Sequence, residues 1–270
     1  MSNNGAIPST LHDNLNFRNL IKYILSTRAL LNPYHIDTIL SPHNMLLFEQ
    51  AFTHPSFDST SNYEFLEFIG DTTVNKAIVW YCQRRFTHLR NEKGVQTFSQ
   101  LRSNLVAKKS LSSFASRLDF WSFIRMSKDT QERDRFSVLE DVFEAFIGTL
   151  EMVVDECINI HSGYGVCYTI ISTLLDETYI SLDNKDLKDS KTRLKELFDK
   201  LKNLRGLKYV ITSPRSEADF QFGITVYGYI DDKMYNMGTG SAPIKRQAEK
   251  NAATVALKWL KDRQLIDEDN

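Results

Sequence analysis

The apolar periodicity of this chain changes once, near residue 190, and that change limits the folds open to it. From about residue 15 to 180, FRNLIKYIL, MLLFEQAF, EFLEFIGDTTVNKAIVWYCQRRF and FSVLEDVFEAFIGTLEMVVDECI place apolar residues three and four apart. That is the spacing of helices with one buried face. KTRLKELFDKL is a further helix, with Leu194, Leu197, Phe198 and Leu201 on one side. LKYVITS, DFQFGITVYGYI and KMYNMGTGS then read as three strands rich in aromatic and β-branched residues, with Asp231–Asp232 as a tight turn. IKRQAEKNAATVALKWLKD closes as a helix with Ala248, Ala252, Ala253, Ala256, Leu257 and Leu260 facing inward. The expected architecture is an all-α domain followed by a small α+β domain of order α-β-β-β-α. Its boundaries are a flexible segment 1–14, a helical domain 15–182, a linker 183–189, the small domain 190–263 and an acidic tail 264–270. Within the helical part, breaks are expected at Asn32–Pro33, Ser41–Pro42, Asp58–Asn62, Asn91–Gly94 and Ser127–Arg135, the last a charged loop.

With 42% apolar and 25% charged residues over 270 positions, the chain can bury a real core. No run of about 18 apolar residues occurs, so no membrane partner is expected, and the polar N-terminus predicts no secretory signal. Cys82, Cys157 and Cys167 are an odd number without metal-type spacing. They predict reduced thiols and an intracellular protein, with cytoplasm and nucleus undistinguished. Trp80, Trp121 and Trp259 lie in apolar contexts and are expected in the core. No nucleotide-binding motif occurs, so no nucleotide cofactor is expected.

The net charge of −1 hides an asymmetry. Residues 1–189 carry 18 basic and 23 acidic side chains, whereas residues 190–263 carry 15 basic and 8 acidic. The small domain is thus +7 and suits a polyanion, while the helical domain is −5.

The acids of the helical domain are oddly placed. In EFLEFIGD, Glu64, Glu67 and Asp71 stand at i, i+3 and i+7 among Phe65, Leu66, Phe68 and Ile69. In LEDVFEAFIG, Asp141 and Glu144 repeat the i, i+3 spacing among Leu139, Val142, Phe143, Phe146 and Ile147. Any one of these acids could simply face water. Two apolar helices that both cluster acids point instead to carboxylates neutralised by a hard cation such as Mg²⁺, which binds carboxylate oxygens and phosphate substrates together. Metal-assisted phosphodiester hydrolysis follows as the candidate chemistry.

These segments resemble the ribonuclease III family. NYEFLEFIGDTTVNKAIVWY is similar to the family's signature NERLEFLGDAVL, and SVLEDVFEAFIG to its second acidic segment ADVFEALIG. AFTHPSF resembles ALTHRSY, and FSQLRSNLVAKKSL resembles LxxLRxxLVxxxxL. The resemblance implies that Glu67, Asp71, Asp141 and Glu144 match the four metal-site acids, with Glu64 supporting them. It also implies Mg²⁺ as the cofactor, Mn²⁺ as a substitute, and a homodimer whose two acid clusters serve the two strands of a duplex. Phe65 stands where the signature has Arg, Ile69 where it has Leu, and Glu140 where a small residue is common. Glu140 is expected to alter metal affinity.

The small domain resembles a double-stranded-RNA-binding domain, through DSKTRLKELF, SPRSEADF and GTGSAPIKRQAEKNAATVAL. Such domains read A-form shape through 2′-hydroxyls and phosphates. The resemblance assigns Thr192, Lys195 and Glu196 of the first helix and Pro214, Arg215 and Ser216 of a loop to the minor groove. Lys245 and Arg246, at the start of the last helix, are assigned to phosphates. A solvated basic helix face is the plainer alternative; Gly238-x-Gly240, read as a turn, and the alanine-rich inner face favour RNA. Ser216 in place of the loop His, Glu249 at the third basic position and a turn lengthened at Pro243 predict weaker or altered phosphate gripping.

The chain therefore reads as an endoribonuclease that cleaves double-stranded RNA by metal-assisted hydrolysis. The expected products are 5′-phosphate and 3′-hydroxyl ends with short 3′ overhangs. The rival reading is a catalytically silent protein that sequesters double-stranded RNA or builds a ribonucleoprotein. Retention of all four matching acids favours the enzyme.

Overall fold

In a computed structural model, which describes the backbone of residues 11–213 and 221–266, the chain divides into two units between Tyr179 and Ile180. The first unit is helical. Its helices are α1 (Leu11–Thr27), α2 (Pro33–Ile39), α3 (Pro42–Ala51), α4 (Glu64–Arg85), α5 (Gly94–Leu105), α6 (Lys108–Arg117), α7 (Lys128–Arg133), α8 (Arg135–Cys157) and α9 (Gly163–Asp176). The breaks have local causes. Asn32 and Ser41 cap α2 and α3 by accepting from the His35 and Asn44 N–H groups, and each cap is followed by proline, whose fixed φ suits a first helical position.

The central element is α8. Val142 through Leu150 are buried without interruption, so this stretch meets protein on every side. Phe146 packs against Phe120 and Phe52, at ring-centroid distances of 5.1 and 6.4 Å. Helix α4 packs chiefly on α8, where Leu66, Gly70 and Thr73 meet it, and buries Val74, Ala77, Ile78 and Tyr81 further along. Two glycines set how closely they approach. A Cβ on Gly70 would come within 2.9 Å of the Gly148 nitrogen and strike the Glu144 carbonyl. One on Gly148 would come within 2.8 Å of the Gly70 nitrogen and strike the Leu66 carbonyl. Here backbone packs directly on backbone.

The second unit contains α10 (Asn184–Leu187), α11 (Ser190–Lys200), β1 (Leu204–Ser213), β2 (Phe222–Ile230), β3 (Lys233–Ala242) and α12 (Lys245–Asp262). The strands form an antiparallel sheet of order β1-β2-β3. Asp231 and Asp232 make the expected turn, both at positive φ (45° and 67°), as a two-residue hairpin requires. Ile224, Val226, Met237, Leu194 and the inner alanines and leucines of α12 form the core.

Five expectations need correction. Residues 128–133 form α7 rather than loop, because Ser127 caps them by accepting from the Thr130 N–H. The stretch read as a linker belongs to the second unit. It carries α10, buries Leu187, and supplies Asp189, which caps α11 and pairs with Lys250 at 3.1 Å. Helix α1 begins at Leu11, inside the segment read as lead-in; residues 1–10 lie outside the described residues. Trp80 is 45% exposed instead of buried, with the Arg84 guanidinium 5.5 Å from its ring centroid. Gly238 and Gly240 lie within β3, not in a turn; a Cβ at either would collide with α12, so they serve sheet–helix packing.

The glycine crossing is testable by stability. Gly70→Ala forces helix backbones apart and is expected to lower the unfolding free energy by about 3 kcal/mol or more, the upper end of overpacking costs. Gly165→Ala in α9 has open space around the new methyl and is expected to change stability by no more than about 1 kcal/mol. Urea unfolding followed by the helical signal measures both; equal, small effects would contradict the close crossing.

Candidate active site at the crossing of two helices

The α4–α8 crossing brings the sequence-selected acids together. Glu67 and Asp71 flank Gly70 on α4; Glu144 lies one turn before Gly148 on α8, and Asp141 one turn earlier. Glu144 is only 7% exposed, Glu67, Asp141 and Glu140 are half-buried, and Glu64 and Asp71 are exposed. The charges feel one another. Burial, then repulsion from Asp71, Glu140, Glu67 and Asp141, pushes Glu144 up to about 8. Burial, then repulsion from Asp141, Glu140, Glu64 and Asp71, pushes Glu67 up to about 7. Asp141 is raised as well, by burial, against the lowering effect of its hydrogen bond from Tyr63.

Several further residues surround these acids. The Tyr63 hydroxyl donates to Asp141 Oδ2 at 2.9 Å. Burial, followed by the Asp141 charge, drives the Tyr63 pKa upward, so the phenol stays a donor. The Lys108 ammonium pairs with Glu140 Oε2 at 3.3 Å and also donates to the Ser137 hydroxyl. Glu140, the extra acid beside Asp141, therefore arrives with its own counter-charge. His54 packs edge-on to Tyr63, with centroids 5.6 Å apart, and its Nδ1 accepts from the Ser56 N–H at 2.9 Å, in keeping with a packing role.

The donor set is entirely carboxylate oxygen, which suits a hard divalent cation such as Mg²⁺ or Mn²⁺. Among the described residues, no three His, Cys, Asp or Glu side chains already converge at metal-ligating range. Glu67, Asp71, Asp141 and Glu144 fit such a cation by the chemistry of their oxygens, and they lie near enough to raise one another's pKa.

The second unit carries a separate surface. Thr192, Lys195, Glu196, Lys245 and Arg246 all line one groove of about 1250 Å³, between α11, β1 and the start of α12. Helix α12 has no side-chain cap, so its first N–H groups and positive dipole end lie beside exposed Lys245 and Arg246. Glu196 is occupied by Lys188, and Glu249 by Lys191 at 2.6 Å. Glu249 thus joins α12 to α11 instead of adding an unpaired negative charge. Pro214, Arg215 and Ser216 lie outside the described residues.

The raised carboxyls make stability depend on pH in a defined direction. Between the unfolded carboxyl pKa near 4.5 and the folded values near 7 and 8, the folded chain binds more protons than the unfolded one. Stability therefore falls as pH rises through that window. Glu144→Gln is expected to raise the unfolding midpoint at pH 8 in a chelating buffer by at least ~2–4 °C, the effect of about 1 kcal/mol in a unit of this size. At pH 4 it is expected to change the midpoint little. A lower midpoint at pH 8 would show that Glu144 is not under strain.

The Ribonuclease-III-like family model matches residues 44–175. A putative ribonuclease 3 of Invertebrate iridescent virus 6 is 31% identical over 262 residues, spanning 90% of this chain and 87% of that protein. A putative ribonuclease 3 of Frog virus 3 (isolate Goorha) is 37% identical over 217 residues, 80% of this chain but only 56% of that protein. The nuclease domain of ribonuclease III from Campylobacter jejuni is 26% identical with a TM-score of 0.44, covering 56% of this chain and 99% of that one. Since the likeness extends over both units, the chain belongs to the ribonuclease III family of endoribonucleases.

Proposed function

We propose that this chain is a Mg²⁺-dependent endoribonuclease specific for double-stranded RNA, working as a homodimer. Each cut would leave 5′-phosphate and 3′-hydroxyl ends, and paired cuts would leave short 3′ overhangs. The observation that carries the reading is the electrostatically coupled group of acids at the α4–α8 crossing. Glu67, Asp71, Asp141 and Glu144 would hold Mg²⁺, or Mn²⁺ in its place, with Glu64 supporting them at the rim. When bound, such a cation supplies Lewis-acid polarisation of the phosphoryl oxygens and lowers the pKa of a water. The protein's own part is orientation and proton control. Tyr63 fixes Asp141. Glu67 and Glu144 hold protons near neutrality that a cation would displace.

The groove of the second unit supports a duplex partner. Thr192, Lys195 and Glu196 suit 2′-hydroxyls, and Lys245 and Arg246 suit phosphates. Pro214, Arg215 and Ser216 would complete the minor-groove contact. The homodimer is supported by Phe65 and Phe68, 62% and 70% exposed on α4 immediately beside the acids. One chain carries one such acid group and a duplex has two strands, so a C2 pair is the simplest closed solution. Among the described residues no helix is long and apolar enough to cross a membrane. The three unpaired cysteines support an intracellular location.

Purified protein is expected to cut a long RNA duplex with Mg²⁺ and not with EDTA. Asp71→Asn and Glu144→Gln are each expected to slow cleavage by at least ~10²-fold, as loss of one electrostatic element of an active site does. Equal products in every lane would refute the enzyme, while binding without cleavage would favour the silent RNA binder. Joint Lys245→Ala and Arg246→Ala is expected to weaken duplex binding and lower the salt slope by about 2, roughly 0.9 for each phosphate no longer neutralised. An unchanged slope would remove both residues from the RNA surface.

A further inference from the structure

Among the four acids proposed to hold the cation, Asp71 alone is exposed, where a carboxylate can rotate freely unless something holds it. Asn75, one turn further along, holds it. Its Nδ2 donates to Asp71 Oδ1 at 2.7 Å and to the Asp71 main-chain oxygen at 2.9 Å. At the other end of the same amide, Asn75 Oδ1 accepts from the Arg102 guanidinium at 3.2 Å. Arg102 comes from the last turn of α5, which packs against α4.

The amide can face only one way. Reversing it would set its oxygen against the carboxylate and its NH₂ against the guanidinium, two repulsive contacts in place of two favourable ones. Arg102 therefore fixes the orientation of Asn75, and Asn75 fixes the rotamer of Asp71. Nothing in the core depends on this chain of contacts, since Asp71 and Arg102 are exposed and Asn75 is half-exposed.

We infer that Asn75 and Arg102 are positioning residues that hold Asp71 in the orientation needed to bind the divalent cation. This inference rests on the metal-dependent reading proposed above. Groups hydrogen-bonded to a metal-ligating carboxylate set its direction and basicity, and their loss typically weakens metal binding by about 10–100-fold. Asn75 fills that place for Asp71 as Tyr63 does for Asp141, with the difference that Asn75 is itself oriented by a cation from a neighbouring helix.

The test is titration of the full chain with Mn²⁺, read by the paramagnetic resonance signal of the free ion, for wild type, Asn75→Ala, Arg102→Ala and Arg102→Lys. Asn75→Ala is expected to weaken Mn²⁺ binding by about 10–100-fold, with an unchanged thermal midpoint and unchanged duplex affinity in EDTA. Arg102→Ala is expected to act in the same direction more weakly, and Arg102→Lys to restore part of the loss. In cleavage assays the Asn75→Ala defect should appear as a higher Mg²⁺ requirement that excess Mg²⁺ overcomes. Wild-type binding matched by Asn75→Ala would overturn this inference and leave the metal-dependent reading standing. Absence of Mn²⁺ binding by wild type would overturn both. Loss of duplex affinity in EDTA without loss of Mn²⁺ binding would make Asn75 an RNA contact and overturn the positioning role.

Discussion

The backbones of α4 and α8 touch where Gly70 meets Gly148, and the candidate site exists because of that contact. A side chain at either position would occupy space already taken by the other helix's main chain. The acids lie within two turns of these glycines: Glu67 and Asp71 on either side of Gly70, Glu144 and Asp141 just ahead of Gly148. The crossing that completes the hydrophobic core therefore also forces like charges together. Their repulsion and partial burial, visible in the raised pKa values of Glu67 and Glu144, is a local cost that the surrounding core sustains. Conflict between local charge and global packing of this kind is expected at functional sites.

The two units differ in charge. The acidic unit concentrates carboxylates on one helix crossing, and the basic unit presents Lys245 and Arg246 at an uncapped helix start. Several acids in the basic unit are neutralised internally: Glu249 by Lys191, Glu196 by Lys188 and Asp189 by Lys250. These pairs join α12 and the segment before α11 to α11, or hold its cap, and leave Lys195, Lys245 and Arg246 without an ion pair among the described residues. The near-zero net charge of the whole chain is thus a sum over two surfaces of opposite character.

Much of this was legible in the sequence, for reasons that differ from element to element. Helices α4 and α8 declare themselves by period, and five acids stand out by their improbable apolar surroundings; the choice of four of them as metal ligands comes from the family resemblance. The strands follow from aromatic and β-branched runs around Asp231–Asp232. Helix α7 was hidden because its six residues are polar and charged, and only its Ser127 cap reveals it. The residues read as a linker were misplaced because polar composition cannot distinguish a solvated tether from a capping segment. Tyr63, Asn75 and Lys108 have no signal of their own, and Arg102, though it stands at the Arg of the LxxLRxxLV resemblance, shows no role there; each matters through a partner 4 to 78 positions away. Gly70 and Gly148 stood in the quoted motifs, but their role in close approach emerges only when the helices are placed together.

Proton release on cation binding tests most directly whether the crossing builds a cation site out of strained carboxylates. With Glu67 near 7 and Glu144 near 8, the cluster carries roughly one proton or more at pH 7, and a bound cation must expel it. Calorimetric titration with Mg²⁺ in two buffers of different ionisation enthalpy counts that proton. Release of roughly one proton by wild type, lost in a Glu67→Gln, Glu144→Gln double variant, is the predicted result. Binding with no proton release, or the same release from the double variant, would contradict it.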